Sequence, residues 1–405
     1  MIRLFVLMLL AVVTTLPAES PTPVESAPDE SSAQTGEIRR GLRMGRDRER
    51  AFFERMIRTV QPDTKGDPER LDVYVKLFER ELINDTRTFA TSVKAESLGE
   101  RKVRLSGHVM FEENRASLRK MFTFLEFEVV DEVEVLPSAD LGDPTFAFVN
   151  ASSVFCYDEP TTPRETLTQA YLGEPIHLLK PAAEGYFLAA THEGYIGYID
   201  GAALHRVSAP AFNAYQEGAQ ILAVRDVTAG GIFVPMGSKL KLVDDKTTVL
   251  TAVLPDGRAI ELPNDSAKVV NNAVPESIGK VIAAAEARLG SDYVWGGKTS
   301  EGVDCSGLVQ SSYRVVDLNL PRDTYMQAYV GTLSATRWNT GGLRRGDLLF
   351  FLNRNGRINH VAISLGGLRY IEAAGKVKYA SMDPKDADYD ERRAKSFAFA
   401  KRVVE

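Results

Sequence analysis

Residues 293–313 read YVWGGKTSEGVDCSGLVQSSY, and the second half of this stretch decides the fold of the C-terminal third of the chain. From Ser306 onward, Leu308, Val309, Tyr313 and Val316 supply apolar positions at helical spacing, which predicts a helix over 306–316. Asp304 stands where an N-cap carboxylate would accept an amide hydrogen of the first turn. Cys305 then sits at the positive end of the helix, where unpaired N–H groups favour an anion. That placement lowers the pKa of a thiol, and the thiolate is the reactive form. A backbone N–H from the same helix end is a candidate oxyanion donor.

A thiolate works best with a neighbouring base that takes its proton and later protonates the leaving amine. The chain has five histidines, and only His360 follows Cys305. His360 opens an alternating run, HVAISLG, in which Val361, Ile363 and Leu365 face one side while His360, Ala362 and Ser364 face the other. Gly366-Gly367 reads as a hairpin turn. Glu372 falls on the returning strand, where a carboxylate could accept the second ring N–H and fix the tautomer. A helix over 277–289 precedes these pieces. The strand-like runs DLLFFL, HVAISLG, LRYIEAA and FAFAKRVV accompany or follow them, the order of an α+β domain. Each residue alone has an ordinary structural reading: a small buried cysteine, a strand histidine, a surface carboxylate. Together, cysteine at a helix start and histidine on a later strand form the papain-like layout and point to a cysteine hydrolase. No His-Glu-x-x-His run, Cys-x-x-Cys pair or Gly-x-Ser-x-Gly elbow is present. No metal and no cofactor are therefore expected.

Upstream, the pattern changes several times. Arg3 followed by the apolar run Leu4 to Val13 and a small Ala18 predicts an export signal over 1–18, and hence a periplasmic or extracellular protein. Residues 19–47, rich in Pro, Ser, Glu and Thr and then Arg, read as a disordered linker. Residues 48–140 mix helical and strand periodicity in a small α+β domain whose role and partner the sequence leaves unknown. Residues 141–208 and 209–271 show short strands punctuated by Gly and Pro, the signal of two small all-β barrels; Asp256-Gly257 marks a hairpin in the second. Residues 272–405 carry the chemistry. The net charge of -6 argues against nucleic acid as a partner. Two cysteines, Cys156 and Cys305, permit one disulfide at most; Cys156 reads as a buried apolar residue.

The runs YVWGG, DCSGLV, LPRDTYMQ, LRRGDLLFF and NHVAISLG, in that order, resemble the NlpC-type papain-like cysteine peptidases over roughly the last 130 residues. The resemblance implies Cys305 as nucleophile, His360 as base and Tyr293 beside the oxyanion site. The family's third polar residue is usually His, with Asn or Gln as variants, so Glu372 makes an atypical triad. The two barrels resemble bacterial SH3-like domains. With them, the architecture is similar to γ-D-glutamyl-L-diamino acid endopeptidases that act on peptidoglycan peptides with a free N-terminal L-alanine. That similarity implies Glu165 and Tyr195 of the first barrel as contacts of the substrate α-amine. It also implies Trp295, Asp304, Ser306 and Thr324 as substrate-lining residues of the catalytic domain. Thr324 stands where Ser is common. Two alternatives stay open at this point: an amidase or acyl transferase on the same fold, and a wall-binding protein with a degenerate hydrolase domain.

Overall fold

Strand and helix periodicities alternate along the chain, and the computed structural model resolves them into separate layers. It describes residues 45, 47–83, 85–246, 248–270 and 277–404. The expected export signal over 1–18 lies outside these residues, and of the expected linker only 45 and 47 are described. The chain divides into two compact units, 1–62 and 63–405. In the first, residues 47–57 are helical. Among the described residues no helix is long and apolar enough to cross a membrane.

The second unit begins with a helix, Leu71–Leu82, that buries Leu71, Tyr74, Val75 and Phe78, one face at helical spacing. A three-stranded sheet follows, in the order Thr91–Ser97, Lys102–Val109, Glu128–Val135. The last two strands run parallel, which requires a crossover, and the helix Glu112–Phe124 supplies it. This small layer packs Ala90, Met110 and Leu136 against Leu179, Leu188 and Ile196 of the next region.

Two β units come next. The first is an all-antiparallel sheet of seven strands: Leu204–Val207, Phe146–Val149, Pro175–Pro181, Tyr186–Ala190, Ile196–Asp200, Ser153–Tyr157 and Thr166–Tyr171 in spatial order. Cys156 is buried in its core. The second has a five-stranded sheet and a separate hairpin, Val227–Ala229 with Ile232–Val234. Gly257, at φ 89°, makes the turn between Val249–Val253 and Ala259–Pro263. A helix, Ala209–Gln216, links the two sheets. Its Phe212 stacks on Phe148, with ring centres 4.9 Å apart, and the Tyr215 hydroxyl donates to the Val253 carbonyl.

The last region is α+β. The helix Cys305–Arg314 lays Leu308, Val309 and Tyr313 on Val361, Ile363 and Ile371 of a six-stranded antiparallel sheet. The sheet order is Thr332–Thr336, Phe397–Arg402, Leu348–Leu352, Ile358–Gly366, Arg369–Ala374, Lys376–Ser381. A second apolar layer, with Leu349, Phe351, Tyr370 and Phe397, forms another cluster of the same sheet.

Polar contacts bind this region to the β units. Glu193 meets the Lys298 ammonium at 2.9 Å and accepts from the Gln310 amide at 2.8 Å. Glu174 pairs with Arg314 at 2.7 Å, and Asp226 of the second unit with Arg288 at 2.9 Å. The Lys298 backbone donates to the Gln169 side chain and its carbonyl accepts from the Tyr171 hydroxyl.

Candidate active site

Asp304 caps the helix that begins at Cys305, its Oδ1 accepting from the Gly307 amide at 2.7 Å. Gly307 is required there: a Cβ would come 2.1 Å from the Gly297 carbonyl oxygen, so a side chain would lift the helix off the preceding loop. Cys305 is 6% exposed. Burial alone would push its thiol up, but the hydrogen bond and charge of His360, with a smaller contribution from Thr324, bring it below the usual thiol value. The Thr324 hydroxyl lies 3.6 Å from the sulfur.

His360 and Glu372 meet because their strands are antiparallel neighbours. Ile363 pairs with Ile371, so Glu372 and His360 fall on one face as diagonal neighbours. The ring Nε2 and Glu372 Oε2 are 2.7 Å apart, which leaves Nδ1 for the sulfur. Burial would lower the histidine's pKa; its bonds to Cys305 and Glu372 outweigh this and raise it. Glu372 is fully buried, and burial would raise its carboxyl, yet His360, Arg393 and Lys378 hold it at about 2. Arg393 Nε donates to the same Oε2 at 2.9 Å, and Lys378 stands 3.6 Å from Oε1. Phe351 packs against both the imidazole and the Arg393 guanidinium.

Tyr293 is fixed by its backbone, which donates to the Gly375 carbonyl and bridges to Val303. Its side chain packs against the apolar cluster that includes Cys305. Burial, with the cysteine and Asp304 charges, raises its pKa, so it remains a proton donor.

A cavity of about 210 Å³ opens over the sulfur, lined by Trp295, Asp304, Ser306 and Thr324 among others. All four of these were expected from the sequence. Trp295 is 64% exposed at the mouth. Asp304 and Ser306 are already engaged. Arg322 reaches both Asp304 oxygens, with Nη1 3.1 Å from Oδ1, and donates to Ser306 Oγ at 2.7 Å.

The two expected contacts from the first β unit do not line this cavity. Glu165 is exposed; its backbone exchanges bonds with Asp158. Its neighbour Thr166 packs against Gly296, a residue at φ 79° with no room for a side chain. Tyr195 is 2% exposed and lies under the Arg87 guanidinium, with its hydroxyl toward Asp323. Arg87 itself lines the cavity. It pairs with Asp323 at 2.6 Å and Asp85 at 2.7 Å and donates to the Tyr325 hydroxyl, while its carbonyl accepts from the Ile196 amide. The small N-terminal α+β layer thus contributes a wall of the cavity.

Arg87, Arg322, Lys378 and Arg393 had no assigned role in the sequence reading. Arg322 stands inside the quoted run LPRDTYMQ, but its partner Asp304 is 18 positions away. Neither Arg87 nor Arg393 lies in a recognisable pattern.

Residues 290–394 match the NlpC/P60 family. The chain is similar to a gamma-D-glutamyl-L-lysine dipeptidyl-peptidase of Bacillus cereus, 28% identical over 33% of this chain and 40% of the relative. It is also similar to a murein DD-endopeptidase/LD-carboxypeptidase of Escherichia coli, 42% identical over 21% of this chain and 43% of that protein. The chain therefore spans less than half the length of either relative. A crystal structure of an NlpC/P60 family protein from Bacillus cereus shares the fold over 64% of this chain and all of that one, with a TM-score of 0.56 at 20% identity.

Proposed function

We propose, from the premise that the C-terminal domain of this chain belongs to the NlpC/P60 family, that the protein is a cysteine peptidase of peptidoglycan peptides. Its target is the bond between γ-D-glutamate and the diamino acid. The observation that carries the reading is the buried line of Cys305, His360 and Glu372, with a thiol lowered and an imidazole raised by each other. Such a pair rests as thiolate and imidazolium. The sulfur attacks the scissile carbonyl carbon, forming a C–S bond. The tetrahedral oxyanion is met by the Tyr293 hydroxyl and a backbone N–H of the helix start. As the C–N bond breaks, His360 gives its proton to the leaving amine. Neutral His360 then takes a proton from water, whose hydroxide attacks the thioester; the acid leaves and the thiolate returns. Glu372 orients the ring and stabilises its charged form.

The similarity to a gamma-D-glutamyl-L-lysine dipeptidyl-peptidase supports the γ-glutamyl specificity. We read the two β units as SH3-like, the first closing one end of the cleft. The preference for a free N-terminal α-amine belongs to that end. Asp304, Ser306, Trp295 and Thr324 line the cavity over Cys305, and Tyr195 supports it from the first β unit beneath Arg87, while the exposed Glu165 lies outside its lining. Export to the periplasm or cell exterior places the enzyme with its substrate.

The test is mass spectrometry of products from defined wall peptides, with free and N-acetylated termini. We expect cleavage between D-glutamate and the diamino acid, favouring the free amine at least tenfold in kcat/KM. Products cut elsewhere would refute the bond assignment. Equal rates on the two peptides would refute amine recognition.

A further inference from the structure

A second cavity, of about 690 Å³, adjoins the one over Cys305 and shares Asn359 with it. Asn359 is there because its strand bulges: Phe351 pairs with His360 and Leu352 with Ile358, which leaves Asn359 as the extra residue. A bulge beside a reacting group re-aims a side chain, and here it joins two hollows.

The charge of this second hollow is out of balance. Arg337, Arg354, Arg392 and Arg393 line it. Arg393 is matched by Glu372, and the neighbouring Lys395 by Glu391 at 2.7 Å. Arg337 is held by the carbonyls of Phe397 and Lys395, which carry no net charge. Arg354 and Arg392 are exposed and have no ion-pair partner among the described residues. Three positive charges thus remain together in a chain whose net charge is -6. A concave surface lined by one sign of charge concentrates ligands of the other sign.

We propose that this basic groove binds the C-terminal carboxylate of the leaving peptide. The proposal rests on the hydrolase reading above. The Cys305 cavity is also lined by Arg87, Asp304, Arg322 and Asp323, whose charges are paired among themselves, and under this proposal that side receives the acyl part of the substrate. The amine part then extends the other way, past Ile358 and Asn359, and its terminal carboxylate meets guanidinium groups suited to planar, two-point contact.

The test uses two γ-D-glutamyl-diamino acid peptides that differ only in a C-terminal carboxylate or amide. Wild-type protein is expected to favour the acid by roughly fivefold in kcat/KM at low ionic strength, a preference that shrinks as salt screens exposed charges. The Arg354→Ala/Arg392→Ala double variant, with unchanged melting temperature, should lose the distinction, and Arg392→Glu should reverse it. Equal rates in wild type, or a preference that survives in the double variant, would overturn the groove. A separate arm measures binding of the leaving peptide itself, as acid and as amide, to the Cys305→Ala protein. A difference there that the double variant abolishes supports the groove whatever bond the enzyme cuts. No difference rejects it. Absence of cleavage with a clear binding difference would instead fault the assigned reaction.

Discussion

Glu372, fully buried, and Glu193, with 15% of its side chain exposed, are carboxylates held ionised to about pH 2 against the cost of desolvation. Their partners differ. Glu372 faces His360, a group that changes its charge in the proposed reaction, with Arg393 and Lys378 behind. Glu193 faces the Lys298 ammonium, the Gln310 amide and the Thr168 hydroxyl, with Arg322 acting on it through space. None of those partners exchanges a proton in the proposed reaction. The same electrostatic device therefore serves two ends. In one place it sets the properties of an imidazole; in the other it fastens the first β unit to the catalytic domain. Which role such a carboxylate plays is decided by whether its partner takes part in proton transfer.

The largest expected effect bears on neither carboxylate but on the thiolate that one of them serves. Cys305→Ala should reduce turnover by a factor of about 1,000 or more with no change in melting temperature. Iodoacetamide should label Cys305 well before Cys156, whose thiol burial pushes up. Persistent activity in the variant, or equal labelling in the folded protein, would remove Cys305 from the mechanism.

Glu193→Ala tests the fastening side. It leaves the Lys298 ammonium, 3% exposed, without a counter-charge. Stability should fall by about 3–5 kcal/mol, read from urea midpoints. An unchanged midpoint would mean that the apolar and main-chain contacts hold the interface alone. Glu372→Gln tests the tuning side and should lower kcat by roughly tenfold or more. Its signature is the pH profile. In wild type the ion pair exists between the lowered thiol pKa and the raised imidazole pKa, so activity rises with pH through the first and falls through the second. Removing the carboxylate charge removes one cause of the raised value, and the alkaline limb should move to lower pH. A profile that keeps its alkaline limb would show that Glu372 does not set it.

The smallest effect is on acid stability. Both folded-state pKa values are depressed, so the stability these groups contribute is complete above the unfolded value of about 4.3. It is lost as pH falls toward about 2. Urea midpoints should decline over that window, and less steeply in Glu193→Gln. Equal slopes in wild type and variant would remove Glu193 from the acid response.

The grouping of Cys305, His360 and Glu372 was legible because each sits in a local pattern: a capped helix start, an alternating strand, a hairpin return. The α+β order of the last domain was legible for the same reason. What the sequence did not disclose depends on tertiary placement. Arg393 reaches Glu372 from a six-residue helix, and Arg87 reaches Asp323 across 236 positions; nothing in their neighbours signals either contact. Glu193 lies in the first β unit, yet its partner Lys298 belongs to another domain. The parallel pairing of Lys102–Val109 with Glu128–Val135 was hidden because the sequence gives strands without their neighbours. Glu165 shows the opposite case, a position singled out by motif alignment whose side chain lies in solvent, outside the cavity lining.

The contacts of Lys298, Gln310 and Arg314 bear on modularity. In many multidomain enzymes a catalytic domain can be excised and grafted elsewhere. Here its back surface carries an ammonium and a guanidinium whose counter-ions, Glu193 and Glu174, are encoded more than a hundred residues upstream. Excision would hand those charges to water along with apolar surface that the β units now cover. A transplantable version would need those residues redesigned as a solvent face. By the same logic, recombination that exchanges the first β unit must exchange its two glutamates as a set with their partners, so the two regions are expected to be inherited together.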